Sequence, residues 1–369
     1  MSENETPASI TAAQEKSVER PAKRPKAVVL MSGGLDSTLA ARILQEQGVE
    51  VVGVHFSTGF CVSDHKRATA SVEEDPRKLR NEALRAGADL KIPVRMVDLS
   101  EDYLEVVFNP KHGYGAHMNP CIDCRTHMLK KAKALMEEEG ADFVATGEVL
   151  GQRPMSQRKD PMRVIQRESG LGDRLLRPLS AQLLEATAPE RQGMVDRSKL
   201  LSIRGRGRRV QMDLVEARGI TDYPSPAGGC CFLTDENYTR KFRDKMTHRG
   251  KERMGWEDVA LLKVGRHFRI SPTLKLVLGR REEENLFLER FTAGRVRLEA
   301  VAVKGPVAVT DESLPSEAEE ALCAAIVARY SDGREQDAVE IRASGGDRGE
   351  RIRRVAPLLD ETILAPMRL

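Results

Sequence analysis

Apolar positions in the first half of the chain fall in short continuous runs separated by amphipathic stretches. Ala27-Val28-Val29-Leu30-Met31 has the character of a buried strand. After it the pattern predicts a helix near Ser37–Gln47, a strand near Val49–Phe56, a helix near Pro76–Ala88, a strand near Pro93–Leu99, a helix near Ile122–Glu139 and a strand at Asp142–Thr146. Strands and helices alternating at this spacing predict an α/β fold with a doubly wound parallel sheet, in which ligands collect beyond the C-terminal strand ends where strand order reverses. From about residue 250 the period changes. Val259–Val264, Phe268–Ile270, Leu274–Leu278, Val296–Leu298 and Val307–Val309 predict short strands bounded by Gly or Pro, hence a smaller C-terminal α+β domain. The division expected is a disordered arm over 1–25, which carries Pro7, Pro21 and Pro25 without apolar periodicity, a domain over 26–250 and a domain over 251–369.

Composition narrows the class. With 369 residues and 40% hydrophobic content, fully disordered and fibrous readings are excluded. No run approaches the roughly 20 apolar residues of a membrane helix, and the start of the chain is polar, so a cytoplasmic protein without a membrane partner is expected. The 59 Lys+Arg against 56 Asp+Glu give no bulk-charge argument for nucleic acid. Locally the balance differs: between Leu150 and Val210 there are 14 basic and 6 acidic residues, a surplus of 14 − 6 = 8. Arg153, Arg158, Lys159, Arg163, Arg204, Arg206, Arg208 and Arg209 belong to it, and a polyanion or plain solvation would both suit them.

The first strand ends in Ser32-Gly33-Gly34-Leu35-Asp36-Ser37 and runs straight into a helix. Two glycines let backbone amides approach phosphate, the serines add hydroxyl donors, and the helix start adds its dipole. The loop lacks the Lys-Ser/Thr ending of a Walker loop, and Asp36 suits such a site if it orients the loop or holds Mg2+. A helix-capping turn is the plainer alternative. Past the fourth predicted strand, Gly147, Gly151, Gln152, Ser156 and Gln157 supply close-approach glycines and polar groups at the same sheet edge.

The six cysteines are Cys61, Cys121, Cys124, Cys230, Cys231 and Cys323, too few and too clustered for a disulfide scaffold. Pro120-Cys121-Ile122-Asp123-Cys124 opens a helix, and Pro226-Ala227-Gly228-Gly229-Cys230-Cys231 supplies further thiols. Three thiolates can hold a 4Fe-4S cluster with one iron left open for sulfide. Cys121, Cys124 and Cys230 are the ligands favoured, with Cys231 the alternate third. Two readings compete: Cys124 with Cys230 or Cys231 as persulfide carrier and resolving thiol, or inert structural thiols. Cys61 and Cys323, without a nearby cysteine in sequence, are expected to be buried or incidental.

Ser-Gly-Gly-x-Asp-Ser after the first strand resembles the PP-loop ATP pyrophosphatases over roughly residues 26–180. That resemblance implies a HUP-like fold and cleavage of ATP between its α and β phosphates, with adenylation of a carbonyl oxygen. It implies ATP and Mg2+ at Ser32, Gly33, Gly34, Leu35, Asp36 and Ser37, completed by Gly147, Gln152 and Ser156, with His55 and Phe56 where such folds hold adenine. Cys-x-x-Cys-Arg-x-x-Met-Leu, then Ala-Thr-Gly-Glu-x-Leu-Gly-Gln-x-x-x-Ser-Gln, is similar to the tRNA 4-thiouridine synthetases, more closely than to the 2-thiouridylases. The implied activity is a tRNA sulfurtransferase in which Asp36, Cys124 and Cys230 act catalytically. The implied partners are tRNA and a sulfur donor, either sulfide or a persulfide carrier. The chain departs from those synthetases in having no RNA-binding region before the loop, no rhodanese-like carrier at its end and a different third cysteine element. Which uridine is modified therefore stays open, as do the donor and the oligomeric state, a homodimer included.

Lys263-Val264-Gly265-Arg266-His267-Phe268-Arg269 and Leu278-Gly279-Arg280-Arg281-Glu282 resemble the RNA-binding domain of NFACT ribosome-quality-control proteins, with His267 and Phe268 as candidate base-stacking side chains. A strand-rich lid or dimerisation domain is the alternative. The rival functions are a PP-loop amidotransferase or small-molecule ligase, and a non-catalytic RNA-binding factor that responds to ATP.

Overall fold

The computed structural model describes residues 24–69, 80–224, 230–311, 315–346 and 349–369. Most of the arm expected over 1–25 and the Pro226–Gly229 stretch lie outside these residues. The first layer runs β1 (Lys26–Leu30), α1 (Leu35–Glu46), β2 (Glu50–Ser57), α2 (Val62–Ala68), α3 (Glu82–Leu90), β3 (Val94–Asp98), α4 (Ser100–Phe108), α5 (Cys121–Glu138), β4 (Phe143–Thr146), α6 (Lys159–Glu168) and β5 (Leu175–Leu176). The five strands pair in parallel in the order β3-β2-β1-β4-β5. Strand β1 shows why both faces are covered: Ala27, Val29 and Met31 pack with α1 and α3, while Val28 and Leu30 pack with α5 on the other side. Strand order reverses between β1 and β4, which opens the crevice at their C-terminal ends.

The helix expected from Pro76 has its described start at Glu82. Asn81 caps it, its Oδ1 accepting from the amides of Ala83 and Leu84 at 2.9 and 3.1 Å.

Beyond the sheet come α7 (Ala188–Arg191), α8 (Arg209–Glu216), α9 (Glu236–Arg249) and α10 (Trp256–Leu261). The C-terminal unit follows with β6 (Arg266–Arg269), β7 (Lys275–Leu278), α11 (Glu282–Glu289), β8 (Arg297–Ala300), β9 (Ala308–Thr310), α12 (Glu317–Arg329), β10 (Val339–Ser344), β11 (Arg351–Val355) and α13 (Glu361–Leu364). Its six strands form a sheet of order β11-β10-β8-β9-β7-β6 with antiparallel pairing. Helix α12 covers one face, and α10 and α11 cover the other.

One predicted strand is a helix. Residues 259–264 continue α10 and its closing turn, because the Asp258 carboxylate accepts the Gly255 amide at 3.0 Å and sets a helix start. Val259 and Leu262 enter one cluster while Ala260, Leu261 and Val264 enter another, so the helix is buried on both sides and reads as a continuous apolar run.

The two sheets meet through a shared aromatic cluster. Phe60 and Tyr103 from the first unit pack with Tyr238, Phe242, Met254 and Val259 from the α9–α10 region. His65 on α2 extends this junction, with its ring centroid 5.2 Å from Phe232 and 5.7 Å from Phe287 of α11.

Burial, helped by the Lys263 charge, lowers His65 to about 4. The unfolded chain binds this proton at about 6.5, so its contribution is fully present above that pH and is lost as pH falls toward 4. His65→Phe should therefore show a smaller loss of urea stability between these pH values than the native chain. Equal slopes would show that His65 does not govern this part of the acid response.

Candidate active site

The end of β1 is built as an anion cradle. Glycine 34 caps α1 without any side-chain cap, which leaves the first-turn amides open. The Ser32 and Ser37 hydroxyls lie 3.1 Å apart, and Ser37 donates to the Gly34 carbonyl at 3.0 Å. Gly33 has φ +73°, and a Cβ there would sit 2.1 Å from the Glu82 carbonyl carbon, so α3 rests directly on the loop. Arg85 of α3 donates to the Gly33 carbonyl at 3.0 Å. This clamp was not legible in the sequence, because it depends on α3 folding back over the loop.

The turn after β4 passes over the same place. A Cβ on Gly147 would lie 2.6 Å from the Asp36 carbonyl group and the Ser37 nitrogen, so only glycine permits this contact. Gln152 donates to Asp36 Oδ2 at 3.1 Å, while Asp36 Oδ1 is buried without a hydrogen-bond partner. An orphaned carboxylate oxygen beside an anion cradle fits a hard cation such as Mg2+. Ser156 is buried in the turn that the Gln157 carbonyl closes on the Gly151 amide. Leu35 packs in the core, so only its backbone faces the cradle. Phe56 also packs in the core, with Val28, Leu30 and Leu99, which gives its ring a core role. His55 holds the Met31 carbonyl through Nδ1 at 2.9 Å.

Next to the cradle lie the thiols. Cys121 and Cys124 open α5, and Asn119 Nδ2 donates to Cys121 Sγ at 3.3 Å. Burial raises Cys121, and it pushes Cys124 up to about 12 against a hydrogen bond from the Tyr103 hydroxyl. Cys230 is exposed and is held below the ordinary thiol range by the hydrogen bond from Cys231, with Arg153 and Arg125 adding to it against burial. Cys231 is raised correspondingly, because it supplies the proton of that bond. Cys323 is buried in the C-terminal core. Cys61 is not incidental: it pairs across an antiparallel bridge with Cys231. The bridge is isolated, outside the named strands, and sequence distance concealed the contact. Among the described residues, no three Cys, His, Asp or Glu side chains stand close enough to hold one metal ion. Cys121, Cys124 and Cys230 are thus not gathered around a single-ion site among the described residues.

An ion bridge ties thiols to cradle. Glu148, adjacent to Gly147 and 3% exposed, faces Arg125 Nε at 3.1 Å and accepts from Arg177 Nε at 3.0 Å and from the Thr146 hydroxyl at 3.2 Å. Despite burial, Arg125 and Arg177 keep its carboxyl below the usual range. Arg177 is thus spent on Glu148 and does not face phosphate. The segment from Gly147 to Arg153 touches both chemistries at once.

Residues 25–167 match the family profile described as the tRNA methyl transferase HUP domain, and residues 265–366 match that of the NFACT protein RNA binding domain. The N-terminal and C-terminal units thus each resemble a different family profile. Curated relatives include the tRNA-specific 2-thiouridylase MnmA of Geotalea uraniireducens, 35% identical over 34% of this chain and 35% of that protein. The same enzyme of Leptospira interrogans is 35% identical over 33% of each chain. The chain thus spans about a third of the length of these relatives. A solved 4-thiouridine synthetase–RNA complex with bound ATP aligns over 52% of this chain and 50% of that one, at 21% identity and a TM-score of 0.30. A score that low carries no geometry across.

In the NFACT-type domain, His267 and Phe268 are both fully buried, and His267 Nε2 lies 2.8 Å from the Val264 carbonyl. Neither can stack on a base, since both point into the sheet's own packing. The exposed cations there include Arg280, Arg281 and Arg290. No described helix is long and apolar enough to cross a membrane.

Gly147→Ala tests the contact between the two motifs. It should weaken Mg-ATP binding about ten-fold or more, while far-ultraviolet circular dichroism stays native. Native affinity, read by calorimetry, would mean that the turn after β4 does not shape the nucleotide site.

Proposed function

We propose that this chain is a cytoplasmic, ATP-dependent tRNA sulfurtransferase of the PP-loop type. The observation that carries the reading is the Gly147–Arg153 segment, which joins the cradle through Gln152–Asp36 and the thiols through Glu148–Arg125. ATP phosphates lie against Ser32, Gly33, Gly34 and Ser37, and Asp36 Oδ1 would hold the Mg2+ that neutralises the leaving pyrophosphate. A uridine carbonyl oxygen attacks the α-phosphorus. Sulfur held at Cys230 then takes the place of that oxygen as AMP departs. From a persulfide, a second cysteine thiolate attacks Cys230 Sγ, the S–S bond to the transferred sulfur breaks, and a disulfide is left on the protein. A small-molecule ligase or an ATP-responsive binding factor would leave thiols beside the cradle unexplained.

Sulfur can be held in two ways. The depressed, exposed Cys230 supports a persulfide received from a carrier. The rival is the 4Fe-4S cluster on Cys121, Cys124 and Cys230, which the gathering of these thiols supports. tRNA is proposed to lie along the exposed Arg158, Lys159, Arg204, Arg206 and Arg209, brought beside the nucleotide turn by the Leu150–Arg204 bridge, and to extend to the NFACT-type domain.

Three outcomes are expected. Asp36→Ala should abolish uridine-dependent pyrophosphate release and leave unfolding by urea near native; undiminished release would remove Asp36 from the mechanism. Anaerobically purified protein should thiolate tRNA without bound iron, whereas loss of iron and thiolation together in Cys121→Ala, Cys124→Ala and Cys230→Ala would establish the cluster instead. Joint replacement of Arg204, Arg206 and Arg209 by Gln should weaken tRNA binding and flatten its salt dependence by about 0.9 per lost phosphate contact for a duplex region. An unchanged slope would place the RNA elsewhere.

A further inference from the structure

The bridge between Cys61 and Cys231 has a specific geometry. Its flanking hydrogen bonds run from the Phe232 amide to the Phe60 carbonyl at 2.9 Å and from the Val62 amide to the Cys230 carbonyl at 3.5 Å. Bonds that flank the pair rather than join it make Cys61 and Cys231 a non-hydrogen-bonded pair, in which Cα atoms lie about 4.5 Å apart and side chains leave on the same face. A disulfide spans Cα separations of about 4.4–6.8 Å. The backbone pairing of Cys61 with Cys231 is thus of the kind whose Cα spacing a disulfide can span.

Cys231 also lies near Cys121 and Cys124, and Cys61 near Cys230, but among the described residues a backbone bridge joins Cys61 and Cys231 alone of the cysteine pairs. Asn119 Nδ2 donates to Cys121 Sγ. Cys230 and Cys231 are chain neighbours, whose direct linkage closes a small strained ring. Cys61 Sγ lies 3.7 Å from the Thr58 hydroxyl, with Asp64 and Cys230 also near it.

We propose that Cys61 and Cys231 are a redox pair that closes a cross-strand disulfide beside the sulfur site. Against a low-molecular-weight disulfide, the Cys231 thiol, losing its proton to Cys230 across their hydrogen bond, attacks one sulfur and releases one thiol. The Cys61 thiolate then attacks Cys231 Sγ, the second thiol leaves, and two thiol protons have been lost as the small disulfide is reduced. Linkage ties the 230–232 segment to Phe60–Val62 and leaves Cys230 as the free thiol of that segment. On the sulfur-transfer reading, the pair also supplies the two electrons needed to release a sulfane sulfur from a thiol; that use rests on the reading above, whereas the disulfide does not.

The test uses the full chain, reduced under anaerobic conditions and equilibrated in glutathione buffers of rising oxidised fraction without ATP or tRNA. After an acid quench and alkylation, peptide mapping should show the Cys61–Cys231 cross-link in about ten-fold excess over any other pair when it first appears. Cys61→Ser should abolish it, and Cys231→Ser, which serves if Cys61→Ser does not fold, should keep Cys61 open to alkylation throughout. A Cys121–Cys124 or Cys230–Cys231 disulfide forming first, with Cys61 still alkylated, overturns the proposal. Because thiolation is assayed separately, a negative sulfurtransferase assay leaves this result standing.

Discussion

The backbone at Gly147 passes so close to the Asp36 carbonyl that a single methyl group would lie 2.6 Å from it. That contact fixes how the turn after β4 lies on the first turn of α1, and its neighbours take their places from it. Glu148 is driven into a buried position where it needs compensation, and Arg125 and Arg177 provide it from opposite sides. Breaking one half of such a bridge strands a buried charge, typically at a cost of about 3–5 kcal/mol. The bridge therefore holds the start of α5, with its two thiols, in one position relative to the phosphate cradle. Gln152, five residues beyond Gly147, returns to Asp36 and closes the connection.

The thiol side depends on the C-terminal half as much as on the N-terminal unit. Cys231 and Phe232 are held against Phe60–Val62, and behind them Tyr238 and Phe242 pack on Phe60 and Tyr103. Lys263, which leads into the NFACT-type domain, donates to the Gly59 carbonyl and places its ammonium group 4.3 Å from the Trp256 ring. The two units thus share one core at the edge of the thiol site. A substrate bound by both units would meet a surface whose two halves are packed together.

The basic stretch illustrates how tertiary pairing divides a local charge surplus into different tasks. Arg177 is consumed by Glu148, and Arg163 pairs with Glu185. Arg153 lies close enough to Cys230 to favour its thiolate. Arg204, Arg206 and Arg209 remain exposed. Counting charges locates such a region, but burial and pairing decide which of its members can meet a polyanion.

The alternating pattern up to Thr146 was enough for the parallel sheet, because strands buried on both faces must be apolar throughout and the helices between them must be amphipathic. Ser32–Ser37 announced an anion cradle for an equally local reason: its glycines, hydroxyls and helix start are consecutive. The α10 helix was misread because a helix buried on both sides has no polar stripe, and β10, β11 and α12 were not anticipated. Gln152 and Asp36 were both placed at this sheet edge from the sequence, but the hydrogen bond between them was not foreseen. Cys61, Arg85 and the pairing of Glu148 with Arg125 and Arg177 belong wholly to the tertiary structure. Each joins segments far apart in the chain, and hydrophobic period and motif spacing carry information only about residues that share an element or a turn; which distant side chains meet is decided when the sheet, its helices and the C-terminal unit close on one another.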